Sequence, residues 1–231
     1  MFRWLRIRRI AAVLGVALLI WLVVSFAAVL ALRWLAPPYS AVMLEQSIPL
    51  KKIDYRWVDG RAIAVSAARA AMAAEDQRFL EHHGIDFVSL DRALEDYREG
   101  DDLRGASTIT QQVAKNLFLW SGRSFVRKGL EAYFTVLLEL CWPKQRILEV
   151  YLNVAELGDG VFGVEAAARR FFGVSSGALS AEQAALLAAV LPNPHKLRAD
   201  KPSSYVRGRQ SWILGQMKLL ETRGHYRGLD W

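Results

Sequence analysis

Two neighbouring acids, Glu75 and Asp76, close an alanine-rich run, AIAVSAARAAMAAEDQRF, whose small side chains suit a helix packed tightly on its neighbours. A carboxylate at a helix C-terminus meets the negative end of the helix dipole, which raises its pKa and makes it a better proton acceptor near neutral pH. A general base fits that position, and so does a merely solvated pair of acids. Phe79 lies one turn beyond Glu75, and His82 and Gly84 follow where the chain must turn; they would fix the Glu75 side chain or serve as an ordinary cap with its packing.

A second group is rich in uncharged polar side chains. Ser107, Thr108, Thr110, Gln111 and Gln112 open a segment that continues through Lys115 and Asn116. Ile109, Val113 and Leu117 recur four apart and should face a core, leaving the hydroxyls, amides and Lys115 to meet a ligand. A helix N-terminus also offers backbone N–H groups to anions. Sugar hydroxyls and a phosphate suit such a surface; the alternative is an ordinary capped amphipathic helix. Arg123 follows in a loop, then Arg127, Lys128 and Glu131. Arg127 and Glu131 stand at i, i+4, the spacing of a helical ion pair, while Arg123 and Lys128 would suit a diphosphate, because charged donors bond phosphate oxygens most strongly.

The elements that must position these groups read as helices. Apolar residues three and four apart dominate from Ala62 onward and alternating strand patterns are scarce, so the spacing predicts helices near 61–77, 86–98, 108–118, 125–140, 143–156, 162–171, 180–189 and 203–222. Thr108 with Gln111 and Ser180 with Gln183 form potential capping boxes, and Pro143 suits a first helical turn. Gly100 to Gly105 and Ser121 to Ser124 are expected loops. KQRILEVYLN (Lys144 to Asn153) supplies core residues Ile147, Val150 and Tyr151 on one face, and Gly163 to Gly173 reads as a packed helix with a glycine stop.

The hydrophobic content of 53% is concentrated at the N-terminus. Ile10 to Leu32 carries no charge and exceeds the ~20 residues needed to cross the hydrocarbon core; it also exceeds the apolar part of a cleaved signal peptide, and Arg33-Trp34-Leu35 suits cleavage poorly. Residues 1–9 are therefore a short N-terminal segment, 10–32 a transmembrane helix, 33–50 a linker punctuated by Pro37, Pro38 and Pro49, and 51–231 a folded domain. Arg3, Arg6, Arg8 and Arg9 precede the span and only Arg33 closely follows it, so the positive-inside rule leaves the N-terminus cytoplasmic and the domain outside. Trp4 and Trp34 bracket the span where such rings favour headgroups. Most of the net charge of +7 lies in this N-terminal segment, which excludes a nucleic-acid-binding domain. The single cysteine, Cys141, cannot close an intramolecular disulfide, and no pair of Cys and His residues has zinc-site spacing.

Five segments together, EDQRFLEHHG, GASTITQQVAKNLF, RKGLE, KQRILEVYLN and GVEAAARRFFG, resemble in order and spacing the motifs of the peptidoglycan glycosyltransferases. Phe171 stands where that family often has tyrosine. The resemblance spans most of residues 50–215 and implies a mainly α, lysozyme-like fold in two lobes, behind the transmembrane helix. It implies polymerisation of lipid II into β-1,4-linked glycan with inversion and release of undecaprenyl diphosphate. Glu75 would be the general base and Glu131 the second acid, assisting at the donor or its leaving group. Lys115 and Arg123 would stabilise the diphosphate, with Ser107, Gln111, Gln112, Asn116, Arg127 and Lys128 as further substrate contacts. A divalent cation such as Mg2+ would find a place on the diphosphate, although no dedicated ligand cluster is visible.

The apolar Leu117-Phe118-Leu119-Trp120 would either enter the membrane interface or be buried in the protein. Partners would be lipid II, the growing strand, the membrane and other proteins of wall synthesis and division. The single anchor, single cysteine and short chain point to a Gram-negative inner membrane with a periplasmic domain. No Ser-x-x-Lys or Lys-Thr-Gly occurs, so no transpeptidase activity is expected. The rival readings are a lysozyme-like enzyme that cleaves glycan and a non-catalytic scaffold of wall synthesis; phosphate-binding cations argue against the first and the acids at 75 and 131 against the second.

Overall fold

The computed structural model describes residues 2–48, 52–98, 107–122 and 124–229. Arg123, the loop from Gly100 to Gly105 and the domain boundary expected at Leu50 and Lys51 lie outside the described residues. Two compact units divide at Pro37 and Pro38.

The first unit is a single helix, α1 (Phe2–Leu32), with no acid in its first turn. Its stretch Ile7–Leu32 is long and apolar enough to cross a membrane. Val13, Leu14, Leu18, Leu19 and Ile20 are all more than half exposed. Such apolar exposure along a helix of this length suits a hydrocarbon surrounding. Arg8 lies 4.5 Å from the Trp4 ring centroid, and Arg33 5.3 Å from that of Trp34, so a cation and an amphipathic ring are paired near each end.

The second unit is mainly helical. Its helices are α2 (Ala41–Ser47), α3 (Val65–Glu75), α4 (Phe87–Arg98), α5 (Ile109–Phe118), α6 (Phe125–Cys141), α7 (Lys144–Val154), α8 (Val164–Phe172), α9 (Ala181–Val190) and α10 (Ser204–Thr222). Strands β1 (Asp54–Tyr55), β2 (Glu156–Gly158) and β3 (Val161–Phe162) form a small sheet in the order β1-β3-β2, with β3 parallel to β1 and antiparallel to β2. The helices fall into two groups. Helices α3, α9 and α10 pack together, α5 packs on α6 and α2, and α7 touches both α3 and α5.

Local chemistry explains these elements. The predicted capping boxes form: the Thr108 hydroxyl accepts the Gln111 amide and the Ser180 hydroxyl accepts that of Gln183. Pro143 caps α7 from just outside, its carbonyl accepting from Ile147, and α8 stops at left-handed Gly173. Ala67, Ala68, Ala71, Ala184, Ala185 and Ala188 are buried, so α3 and α9 approach closely with little side-chain bulk between them.

Part of the expected linker is helical. Ser40 caps α2 by accepting the Met43 amide, and Val42 and Met43 are buried; two apolar residues gain more by docking than the nearby prolines cost. In the apolar stretch before α6, Leu117 and Leu119 are buried and Phe118 stacks on Phe134 at 4.4 Å, whereas Trp120 is exposed. Protein burial thus takes most of that stretch.

A close backbone approach occurs in the connection from α3 to α4. Gly84 has φ +88°, and a Cβ there would lie 2.7 Å from Thr135 Cγ2 and 2.9 Å from Glu139 Cγ on α6. Gly84→Ala is expected to lower stability by about 2–4 kcal/mol through backbone strain and overpacking. Chemical denaturation measures this, and an unchanged midpoint would contradict the packing described.

Candidate active site

Helix α3 ends at Glu75, and Asp76 leaves the helix with φ −159°. The two acids then part in role. Asp76 is buried, and one of its oxygens accepts the Ile109 amide at 3.0 Å, at the start of α5. His82 Nε2 donates to both Asp76 oxygens at 2.9 and 3.0 Å. The His82 proton is on Nε2 because Nδ1 accepts the Gly84 amide at 3.1 Å. The Thr108 hydroxyl donates to the Gly84 carbonyl at 2.6 Å. These bonds fasten the end of α3, the turn and the start of α5 together, with the Asp76 charge at the positive end of α5. His82 thus acts on Glu75 only through its neighbour.

Glu75 is left half-buried and turned toward α5. Gln112 Nε2 donates to Glu75 Oε2 at 2.8 Å, and the Tyr151 hydroxyl on α7 donates to Gln112 Oε1 at 3.3 Å. Tyr151 is fully buried and its pKa is raised well above the usual phenol value, chiefly by burial and then by the charges of Glu75 and Asp76. It therefore stays a donor and holds the amide in one orientation. Burial also raises the Glu75 pKa; the Gln112 bond, Arg209 and Lys115 oppose the rise, and the Asp76 charge adds to it.

Lys115, one turn beyond Gln112, is half-buried and makes no direct ion pair among the described residues. Desolvation lowers its pKa and the Arg127 charge lowers it further, whereas Glu131, Glu156 and Glu75 act to raise it. Glu131 is buried on α6, with one oxygen accepting from Arg127 Nη1 at 2.7 Å and the other from Lys128 Nζ. Its charge is spent on holding two cations. An ionisable carboxylate and a set of cations thus face one region, which suits a proton acceptor on one side and an anionic leaving group on the other.

Other expected contacts separate. Ser107 is exposed and, with Glu75, Arg78, Arg92 and Thr108, lines a polar pocket of about 230 Å³. Gln111, expected to meet a ligand, is buried and its carbonyl accepts the Thr108 amide at 3.0 Å, so it serves the start of α5. Thr110 is buried too and donates to Glu139 Oε1 at 2.5 Å. Asn116 is buried on α5.

Two residues near the carboxylate were not foreseen as site residues. Tyr151 was read as core from its apolar face, and nothing in the pattern of α10 singled out Arg209. The structure also gathers Glu156, Asp159 and His195, whose ligand atoms lie within 4.8 Å of one another. The His195 ring bridges the acids, with Nδ1 2.7 Å from Asp159 and Nε2 3.5 Å from Glu156; sequence separation hid that group.

The helical domain thus carries a carboxylate and several cations, an arrangement suited to group transfer. The chain belongs to the transglycosylase family, whose model matches residues 43–218. It is similar to proteins named biosynthetic peptidoglycan transglycosylase. The one from Stutzerimonas stutzeri (strain A1501) is 54% identical over 210 residues, covering 88% of this chain and 87% of that protein. Its counterpart from Chromohalobacter salexigens is 55% identical over 188 residues, covering 78% and 80%, and that from Xylella fastidiosa (strain M23) is 48% identical over 225 residues, covering 94% and 91%.

The raised Glu75 pKa carries a stability cost. A carboxyl whose folded pKa lies above its unfolded value contributes fully below the unfolded value, and that contribution is lost as pH rises through the folded one. Glu75→Gln should therefore melt above the wild type at pH 7.5, where the buried carboxylate is the costlier group, and level with it near pH 3, below the unfolded glutamate value, where both side chains are neutral. Calorimetry at the two pH values checks this; a variant no more stable at pH 7.5 would refute the unfavourable burial.

Proposed function

We propose that this chain is a membrane-anchored peptidoglycan glycosyltransferase that polymerises lipid II into β-1,4-linked glycan. The observation carrying this reading is the Glu75 carboxylate, buried enough to have a raised pKa and held by Gln112 on the same helix as Lys115. Glu75 takes the proton from the acceptor's 4-hydroxyl as its oxygen attacks the donor's anomeric carbon. The bond to the diphosphate breaks on the opposite face, so the configuration inverts and undecaprenyl diphosphate leaves with the electron pair.

Lys115, Arg127 and Lys128 meet the charge that develops on the leaving group, in a partly desolvated site where such charges count for more than in water. Arg123 is proposed to join them, and Ser107 and Asn116 to contact the sugars. Glu131 is a positioning residue, keeping Arg127 and Lys128 aimed by occupying both carboxylate oxygens. A proton acceptor alone would serve hydrolysis equally well; the cations favour transfer from a phosphorylated donor.

The apolar helix α1 supports a substrate that stays in a membrane, since anchoring confines enzyme and lipid to two dimensions and raises their effective concentration. Phe125 and Val126, 98% and 71% exposed, place apolar surface beside Lys128 at the start of α6, a combination suited to lipid tails and anionic headgroups. The arginines before α1 orient the N-terminus toward the cytoplasm and the domain toward the periplasm.

The test is polymerisation of fluorescent lipid II by the detergent-purified chain, with products separated by size. Wild type should give long, lysozyme-sensitive polymer. Glu75→Gln should lose about 10²–10⁴-fold in rate and Lys115→Met about 10²–10³-fold, both with unchanged circular dichroism. Polymer from Glu75→Gln at the wild-type rate would remove the proposed base, and lysis of purified wall without synthesis would replace the reading with hydrolysis.

A further inference from the structure

Helix α10 carries an exposed face not used by the chemistry above. Tyr205, Gly208, Arg209 and Trp212 stand at i, i+3, i+4 and i+7, one stripe of the helix, and line a shallow depression of about 410 Å³. Val206, Gln210, Ile213, Met217 and Leu220 form the buried stripe beside it. Tyr205 is 58% and Trp212 47% exposed, an unusual outlay of aromatic surface for a helix whose core contacts are already made by other residues. A Cβ on Gly208 would meet nothing within 4 Å, so the space between the rings is open. Arg209 Nε is buried and has no hydrogen-bond partner among the described residues.

The placement of this stripe follows from the packing of α10 on α3. Arg69 pairs with Glu221 at 2.6 Å, and Gln77 Nε2 donates to Gln216 at 3.4 Å. The helices therefore run antiparallel, and the residues before Gln216 pass the end of α3 that carries Glu75. Arg209 is close enough for its charge to act on Glu75. Arg209 thus joins the open stripe to the carboxylate through its charge.

We propose that Tyr205, Arg209 and Trp212 form a saccharide-binding subsite that extends the active site along the glycan backbone. The apolar C–H face of an N-acetylated pyranose stacks on each ring, and the guanidinium donates to hydroxyl or acetamido oxygens. The two rings are separated by about 10.5 Å along the helix axis, so the stripe spans more than one pyranose. Aromatic rings with an apolar body and a polar edge suit such a ligand, and so does a guanidinium donor, because sugar oxygens accept without needing a charge. No acid lies on the stripe to neutralise Arg209. The inference rests on Glu75 as the base of a glycan-forming site. The sugar is supplied by either the incoming lipid II or the strand already made.

The test uses the full chain in detergent with Tyr205→Ala, Trp212→Ala and the conservative Trp212→Phe. Saturation-transfer NMR with chitotetraose, a soluble β-1,4-linked N-acetylglucosamine oligomer, should show transfer in the wild type. Binding should weaken about tenfold in each alanine variant, a loss in the range of an aromatic contact, and largely return in Trp212→Phe. In lipid II polymerisation, a higher KM with kcat retained assigns the subsite to the incoming lipid II. Shorter products at an unchanged KM assign it to the growing strand.

Chitotetraose binding that is absent from wild type, or equal in wild type and both alanine variants, would overturn the subsite. A wild type that binds the oligomer through Trp212 yet makes no polymer would keep the subsite and refute the polymerase reading instead.

Discussion

The buried carboxylate of Asp76 is the interaction on which the site depends. It accepts the first amide of α5 and the Nε2 proton of His82, whose other nitrogen holds the turn at Gly84. A buried charge is tolerable only when its hydrogen bonds are satisfied, and here each bond joins a different piece of chain. Removing either partner would leave part of that charge unpaired, so the end of α3 and the start of α5 are held together by the cost of separating them. Glu75 inherits its position from this arrangement, because it precedes Asp76 and has little freedom to turn away from Gln112.

With Glu75 placed, burial shifts acid and base in opposite directions in pKa and toward the same end. The Glu75 carboxylate and the Lys115 ammonium are both pushed toward their neutral forms by desolvation, and each is partly restored by the other's charge. In water both would be firmly charged and weakly responsive. In the site, charge that develops in a reaction meets groups whose own solvation has already been surrendered. Glu131 tightens the same region by fixing Arg127 and Lys128, and Tyr151 does so by fixing the amide that holds Glu75.

Much of this was legible in the sequence for reasons that are local. Eight helices follow from apolar spacing, and the Thr108–Gln111 and Ser180–Gln183 boxes from short-range hydrogen bonding. Glu75 stood out because acids are unwelcome at the end of a helix, whereas the division of labour between Glu75 and Asp76 did not, since it depends on which amide α5 delivers from 33 residues away. Tyr151 shares a face with core residues and reveals its hydroxyl's partner only in three dimensions. Gln111 was read both as a cap and as a ligand contact, and packing decides for the cap. The helix α2 was hidden by the prolines around it, and Arg209 by a separation in sequence that only the antiparallel packing of α3 and α10 closes.

The central claim is that Glu75 is the proton acceptor and that the fold has raised its pKa for that task. The direct measurement is a carbon-13 NMR titration of the glutamate carboxyls in the full chain, run beside the pH dependence of kcat/KM for lipid II. The account predicts one carboxyl titrating above the ordinary glutamate range, absent from Glu75→Gln, with the acid limb of the rate profile at the same pH. A Glu75 carboxyl that titrates at the ordinary value, or an acid limb that falls elsewhere, would contradict it.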